Sequence, residues 1–227
     1  ALSKVADHDV RVVCAGRTDS GVHASWQIIH FDTRAERSER SWVLGTNANL
    51  PHDAGLLWAR EVDAGFHARF SAQTRCYRYI ILNRDVPSAL LHRRVTWVHQ
   101  ALDESRMQEG ARYLLGEHDF SSFRALACQA NSPVRTLYRL DIKRSGAYLY
   151  LDVEANAFLH HMVRNIAGVL IAVGRGVHNS HWVKDILDKR DRTQGGVTAP
   201  ANGLYLVGVR YPEKYGIGPL GVVPEFG

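Results

Sequence analysis

No stretch of this chain stays apolar for the roughly 20 residues that a membrane span requires. No basic segment followed by an apolar one opens it, so no secretion signal is expected. Cysteine is scarce: Cys14, Cys76 and Cys128 are odd in number and far apart. That spacing favours reduced thiols in a cytosolic protein over a disulfide framework or a zinc site. Also missing are a G-x-x-x-x-G-K-[ST] phosphate loop, a G-x-G-x-x-G turn after a strand, and a G-x-S-x-G nucleophile elbow around any serine. Cys128 has no recognisable nucleophile setting. The histidines fall into no H-x-x-x-H or Cys/His ligand spacing. Adjacent His160 and His161 are expected on different faces of a helix, which makes them a poor chelate. No low-complexity segment interrupts the chain.

What is present is an ordinary globular composition, 45% hydrophobic and 22% charged over 227 residues. That length suits one large or two small domains with a substantial core. The formal net charge is +5, from 28 Lys and Arg against 23 acids. Arginine dominates the basic set, favouring planar contacts to phosphate or carboxylate. Such a balance suits a nucleic-acid partner without requiring one, because the excess is spread along the chain.

Hydrophobic periodicity predicts the elements in order. Ala1 to Ala6 reads as the end of a helix, Val10 to Cys14 as a strand, and Ser25 to Thr33 as its alternating partner. Ser38 caps a helix reaching Asn49, and Leu56 to Val62 reads as a further strand. Thr74 to Leu82 is the clearest strand. Its alternation sets Arg75, Tyr77, Tyr79 and Ile81 on one face, with Cys76, Arg78, Ile80 and Leu82 on the other. Asp103 caps a helix through Leu114 that stops at Gly116. A hairpin turns at Ser145-Gly146 between Val134–Lys143 and Ala147–Glu154. A strongly apolar helix follows from Phe158 to Val173, carrying Arg164, then a helix capped by Ser180 and a last strand from Leu204 to Tyr211. Strands and helices without strict alternation predict α+β layers with largely antiparallel sheet.

The stretch Cys14 to Ala24 places one carboxylate, Asp19, in a polar loop with Arg17 two residues before it and Gly21 two after. Asp-Ser-Gly between apolar runs is also an ordinary hairpin turn. No second acid lies near Asp19, so paired general acid and base chemistry is not indicated. A lone carboxylate beside arginine stays ionised, which suits a nucleophile. Arg164, embedded in an apolar helix, needs an anion or must snorkel to the surface. Asp19 is one candidate partner.

Gly16-Arg-Thr-Asp-Ser-Gly-Val-His-Ala24 resembles the signature of the TruA-type tRNA pseudouridine synthases. Further motifs resemble that family in family order: Asn47-Ala-Asn-Leu50, Phe66-His-Ala-Arg-Phe-Ser71, Tyr77-Arg-Tyr79, Asp119-Phe-Ser-Ser-Phe-Arg124, Asn156-Ala-Phe-Leu-His-His-Met-Val-Arg-Asn165 and Gly203-Leu-Tyr205. The resemblance covers nearly the whole chain. It implies two ferredoxin-like or RRM-like domains, residues 1–66 and 67–227, with largely antiparallel sheets and an active cleft between them. It implies Asp19 as the catalytic nucleophile and Tyr77 as the aromatic that stacks on the target base. Arg164 is then the partner of the aspartate, Arg17 helps to hold the flipped nucleotide, and Leu204 lines the pocket.

The implied reaction is isomerisation of uridine to pseudouridine at positions 38 to 40 of the tRNA anticodon stem-loop. It needs no metal, redox cofactor or nucleotide. Asp19 attacks either ribose C1′ or uracil C6, after the base has left its stack at a cost of a few kcal/mol. The implied protein is a cytoplasmic homodimer with no membrane partner. A catalytically dead RNA-binding relative and a carboxylate-nucleophile base glycosylase are the rival readings. Family members carry a strand, a loop and most of a helix before the point where this chain begins, so the sequence reads as N-terminally incomplete. These 227 residues alone are therefore expected to fold poorly. A cooperatively melting protein made from them would refute that.

Overall fold

The computed structural model describes residues 1–218 and 221–226. The chain divides into two compact units, the first made of Ala1–Gly16, Ile28–Ala72 and Pro212–Ile217. Arg17–Gln27, Gln73–Tyr211 and Gly218–Gly227 make the second. The Asp19 loop therefore belongs with the second unit, although the residues on either side of it belong with the first.

In the first unit, α1 (Leu2–Ala6) ends at Asp7, whose φ of 58° is left-handed. Ser38 caps α2 (Glu39–Asn47) as expected, accepting from the Ser41 amide. The two helices bury Leu2, Ala6 and Trp42, with Val5, Ile29 and Phe31 packed against them. Two short strands, β1 (Val13–Cys14) and β3 (Ile29–His30), pair antiparallel. The strand expected over Leu56 to Val62 does not form. The Asn47 side chain satisfies both the N–H and the C=O of Leu56, at 2.7 and 2.8 Å, where a ladder neighbour would otherwise stand.

The second unit is built on a sheet of order β2-β9-β4-β8-β7-β6, with β5 paired to β4. Its strands are β2 (His23–Ala24), β4 (Thr74–Asn83), β5 (Thr96–Val98), β6 (Gly116–Asp119), β7 (Val134–Ser145), β8 (Tyr148–Ala155) and β9 (Leu204–Arg210). Pairing is antiparallel except for β2 on β9 and β5 on β4. The expected α+β class with mostly antiparallel sheet is what forms. β4 forms where the sequence alternation predicts a strand, and residues on both of its faces are buried because it is a central strand. One face holds Cys76, Ile80 and Leu82 with Tyr150, Tyr205 and Val207, and Val223 and Phe226 of the chain's end pack against it. Burial pushes the Cys76 thiol up to about 11, so it is inert.

The helices of this unit are α3 (Glu104–Arg112), α4 (Met162–Gly174) and α5 (Trp182–Lys189). Asp103 caps α3 through the Arg106 amide. Helix α4 is apolar nearly all round, and Met162, Ile166, Val169, Leu170 and Val173 are buried. Ser180 does not cap α5. The Asn179 side chain accepts from the Trp182 amide at 3.0 Å instead. All three cysteines are free, and among the described residues no helix is long and apolar enough to cross a membrane.

Candidate active site

The Asp19 loop is not a tight hairpin. Val22 N–H bonds Asp19 C=O at 3.0 Å to close a turn, in which Gly21 has φ +82°, a value that glycine adopts without strain. The chain then pairs with a strand far away in sequence: β2 lies parallel to β9, with His23 opposite Tyr205. Their rings stack at 4.6 Å, and His23 Nε2 lies 2.9 Å from the Arg93 carbonyl. The Ser25 and Trp26 amides both donate to Leu206 C=O, at 3.0 and 3.2 Å. The loop is thus fastened along the β9 edge, immediately beside Leu204.

Arg164 lies in the first turn of α4, and its guanidinium is divided between two acceptors. Nη1 donates to Asp19 Oδ2 at 3.0 Å, while Nε donates to Ala199 C=O at 2.9 Å. The Arg164 side chain keeps 16% of its exposure and does not snorkel away. Ala199 N–H returns a bond to Arg164 C=O at 3.1 Å, so the 197–199 segment and α4 are laced together. This approach requires Gly168, where a Cβ would stand 1.8 Å from Val197 C=O.

Two further residues converge on the same carboxylate. His160 Nε2 lies 3.2 Å from Asp19 Oδ1, and His161 Nε2 lies 3.2 Å from Oδ2. The pair was expected on opposite faces of a helix. It stands before the helix instead, because α4 begins at Met162 and His161 adopts a left-handed φ of 63°. That conformation turns both imidazoles, with ring centroids 4.0 Å apart, towards Asp19. One sequence signal could have placed the start correctly: none of Phe158 to His161 is a good helix cap, so the apolar run marked packing rather than the helix boundary. His161 holds its proton less readily than an ordinary histidine. Burial is the main cause, and Asp19 opposes it while His160, Arg164 and Arg192 add to it.

With His161 and Arg164 both on Oδ2, the carboxylate lies at the N-terminal end of α4, where the helix dipole favours an anion. Its side chain keeps 26% of its exposure, so it is held without being sealed off. Donor atoms of Asp19, His160 and His161 lie within 4.8 Å of one another, a grouping that could take a metal ion. The guanidinium on the same carboxylate works against a second cation there.

Tyr77 sits on β4 at a bulge, where the register with β9 shifts between Cys76 and Tyr77 and leaves Val207 as the extra residue. Tyr77 then faces Leu206 across the ladder, and Tyr79 faces Leu204. Those four residues share one face of the sheet. Tyr77 is 9% exposed, and its ring meets Phe158 edge-on at 5.0 Å. The Tyr79 hydroxyl bonds Thr96 at 2.6 Å and Pro200 C=O at 2.8 Å, next to the residue that anchors Arg164. Leu204 is 6% exposed. Of the residues expected from sequence, Asp19 and Arg164 are in direct contact, and Tyr77 and Leu204 lie on the sheet face that carries the anchoring segment. Arg17 is exposed, two residues before Asp19.

The chain is similar to known proteins over nearly its whole length. A family model described as tRNA pseudouridine synthase matches residues 111–212. A tRNA pseudouridine synthase A of Methylococcus capsulatus is 59% identical over 217 residues, covering 96% of this chain and 80% of that protein. The protein of the same name from Coxiella burnetii is 54% identical over 226 residues, covering 100% of this chain and 87% of its own. That of Legionella pneumophila is 54% identical over 217 residues, covering 96% and 83%.

Proposed function

Because the chain belongs to the tRNA pseudouridine synthase family, we propose that it converts uridine to pseudouridine in the tRNA anticodon stem-loop, at the positions 38 to 40 that the family resemblance implies. Asp19 is the nucleophile. The observation that carries this reading is a partly exposed carboxylate gripped by Arg164 at 3.0 Å and by two imidazoles at 3.2 Å. The antiparallel-dominated α+β architecture agrees with the pseudouridine synthase fold.

The chemistry needs a carboxylate that attacks and later leaves. One oxygen of Asp19 bonds to ribose C1′ or uracil C6, and the N1–C1′ bond breaks with its electrons passing to the ring. The uracil turns, C5 bonds to C1′, the carboxylate departs, and the C5 proton passes to solvent. Hydrogen bonds from Arg164 and His160, with the His161 imidazole close by, fix the carboxylate's rotamer in the resting enzyme and stabilise it again as it leaves. Tyr77 stacks on the flipped base, Leu204 packs beside it, and Arg17 holds the phosphate or ribose of the displaced nucleotide. The enzyme works in the cytoplasm as a homodimer.

Incubation with tRNA tritiated at uracil C5 tests the reading. The wild type releases tritium to water while the base stays attached, and Asp19→Asn releases none. Undiminished release from Asp19→Asn removes the nucleophile assignment. Free uracil in the product indicates a glycosylase instead, and binding without release indicates a dead relative.

A further inference from the structure

Beside this site the fold builds a second concavity that the reaction does not use. A cavity of about 250 Å³ is lined by Ser121, Arg124, Leu126, Arg190, Asp191 and Arg192. Three arginines line it with a single acid, Asp191, whose carboxylate is already engaged. Asp191 accepts from Thr193 N–H at 2.9 Å and from Thr193 Oγ1–H at 2.8 Å. Arg192 is engaged as well, donating to Gly196 C=O, Asn165 Oδ1 and Thr198 Oγ1 at 2.9 to 3.1 Å. Arg190 and Arg124 are the heads left over. Arg190 Nε lies 3.9 Å from Asp119 Oδ2 with its side chain 68% exposed, which is a weak pairing. Arg124 makes no side-chain hydrogen bond or ion pair among the described residues.

The walls are rigid. Ser122, 1% exposed, donates to Ile186 C=O at 2.6 Å and accepts from Asp191 N–H at 2.8 Å, tying the two sides of the cavity together. Phe120 and Phe123, on either side of Ser121 and Ser122 in the chain, are fully buried. The cavity is also tied to the Asp19 site. Ala125 N–H bonds His160 C=O at 2.8 Å, and Asn165 Nδ2 donates to Phe123 C=O at 2.7 Å. His160 and the neighbour of Arg164 therefore hold the turn that carries Arg124.

We propose that this cavity is a phosphodiester subsite, taking a backbone phosphate of tRNA that flanks the nucleotide held at Asp19. The inference rests on the proposed function. Arg124, and Arg190 with only its weak pairing to Asp119, line one hollow, and an anion with several acceptor oxygens offsets the repulsion between their charges. Planar arginine forks and a serine hydroxyl suit phosphate, and contacts of this kind set the position of a nucleic acid without reading its sequence. A flipped base needs its flanking backbone held, because unstacking must be offset by contacts elsewhere.

The test uses full-length protein, with Arg124→Gln, Arg190→Gln, the double variant, and Arg106→Gln as an exposed charge outside the cavity. Binding of tRNA is measured against salt, with thermal melts confirming that each variant folds, and tritium release is followed at saturating tRNA. Each cavity variant should weaken tRNA binding by about tenfold and flatten the log–log salt slope by about one. The loss should fall on KM rather than on kcat, and Arg106→Gln should change the slope far less. Unchanged affinity and slope in a folded double variant overturn the subsite. So does a loss confined to kcat, which would make the arginines supports for α4. Inorganic phosphate that binds the wild type but not the double variant, with tRNA affinity equal in both, identifies a small-anion site and also overturns it. A wild type that binds tRNA but releases no tritium defeats the proposed function alone, since the binding measurement still decides the subsite.

Discussion

Arg164 is the residue on which the site's geometry turns, because one planar group spans two acceptors in different segments. A lysine offers a single point charge and cannot reach Asp19 Oδ2 and Ala199 C=O together. Arg164→Lys should therefore lower kcat by about 100-fold, the usual penalty for displacing a reacting group by an ångström. Circular dichroism should remain that of the wild type. His161 acts on the same oxygen, and its depressed proton affinity has a consequence for stability. The unfolded chain protonates this residue near the ordinary histidine value of 6.5, the folded one only at lower pH. The stability associated with neutral His161 is thus fully present above that value and is lost as pH falls towards the folded value. Urea titrations on either side of pH 6.5 should show a wild-type decline that is smaller in His161→Gln. An equal decline in both would assign it to other groups.

At the scale of elements, the contact between α4 and the 197–199 segment joins stability to activity. A methyl group at residue 168 would stand 1.8 Å from Val197 C=O, and the neighbouring Ala199 both donates to and accepts from Arg164. Gly168→Ala should cost about 1–3 kcal/mol by overpacking, despite the better helix propensity of alanine. Chemical melts measure the first effect. Tritium release should fall by more than the unfolded fraction explains, because moving Val197 moves the acceptor that aims Arg164. The helix itself was legible from its apolar periodicity, as was β4 from its alternation. The boundary at Met162 was not, since a left-handed step at His161 marks it rather than a capping side chain. The two strands expected around Asp19 form only in part. Residues 10–14 and 25–33 have strand composition, yet only short pieces of each pair, and the loop between them pairs with β9.

Across the whole larger unit, one buried ion pair joins the centre of the sheet to the chain's last residues. Arg78 donates to both oxygens of Asp152 at 2.7 and 2.8 Å, with side-chain exposures of 9% and 11%. It also donates to Pro224 C=O and to Glu225, both at 3.1 Å. Removing one member of a buried pair leaves an uncompensated charge, so Asp152→Ala should cost about 3 kcal/mol or more in urea melts. Glu225 is 73% exposed, and Glu225→Gln should cost less than about 1 kcal/mol. Similar losses from the two substitutions would contradict the burial argument. The excess of basic residues acts at the same scale. On the proposed function, it should strengthen tRNA binding in a salt-dependent way whatever the sequence of the RNA.

The chain by itself determined the elements whose cause is local: the alternation of β4, the Ser38 and Asp103 caps, the turn at Gly146, and an apolar helix carrying one arginine. Ordered motifs around Asp19, Tyr77, Arg164 and Leu204 also made the family legible. Tertiary structure alone decided which groups meet. Arg164 and Asp19, a pair that only the family resemblance implied, stand 145 positions apart in the numbering, a separation that no periodicity encodes. His160 and His161 join them only because the chain takes a left-handed step before α4. The arginine cavity depends on hydrogen bonds from Ser122 and Asn165 to distant carbonyls. Spacing along a chain reports what neighbours prefer. Contacts between distant residues depend on how buried polar groups find partners once the sheet and helices have packed, and that is settled only in three dimensions.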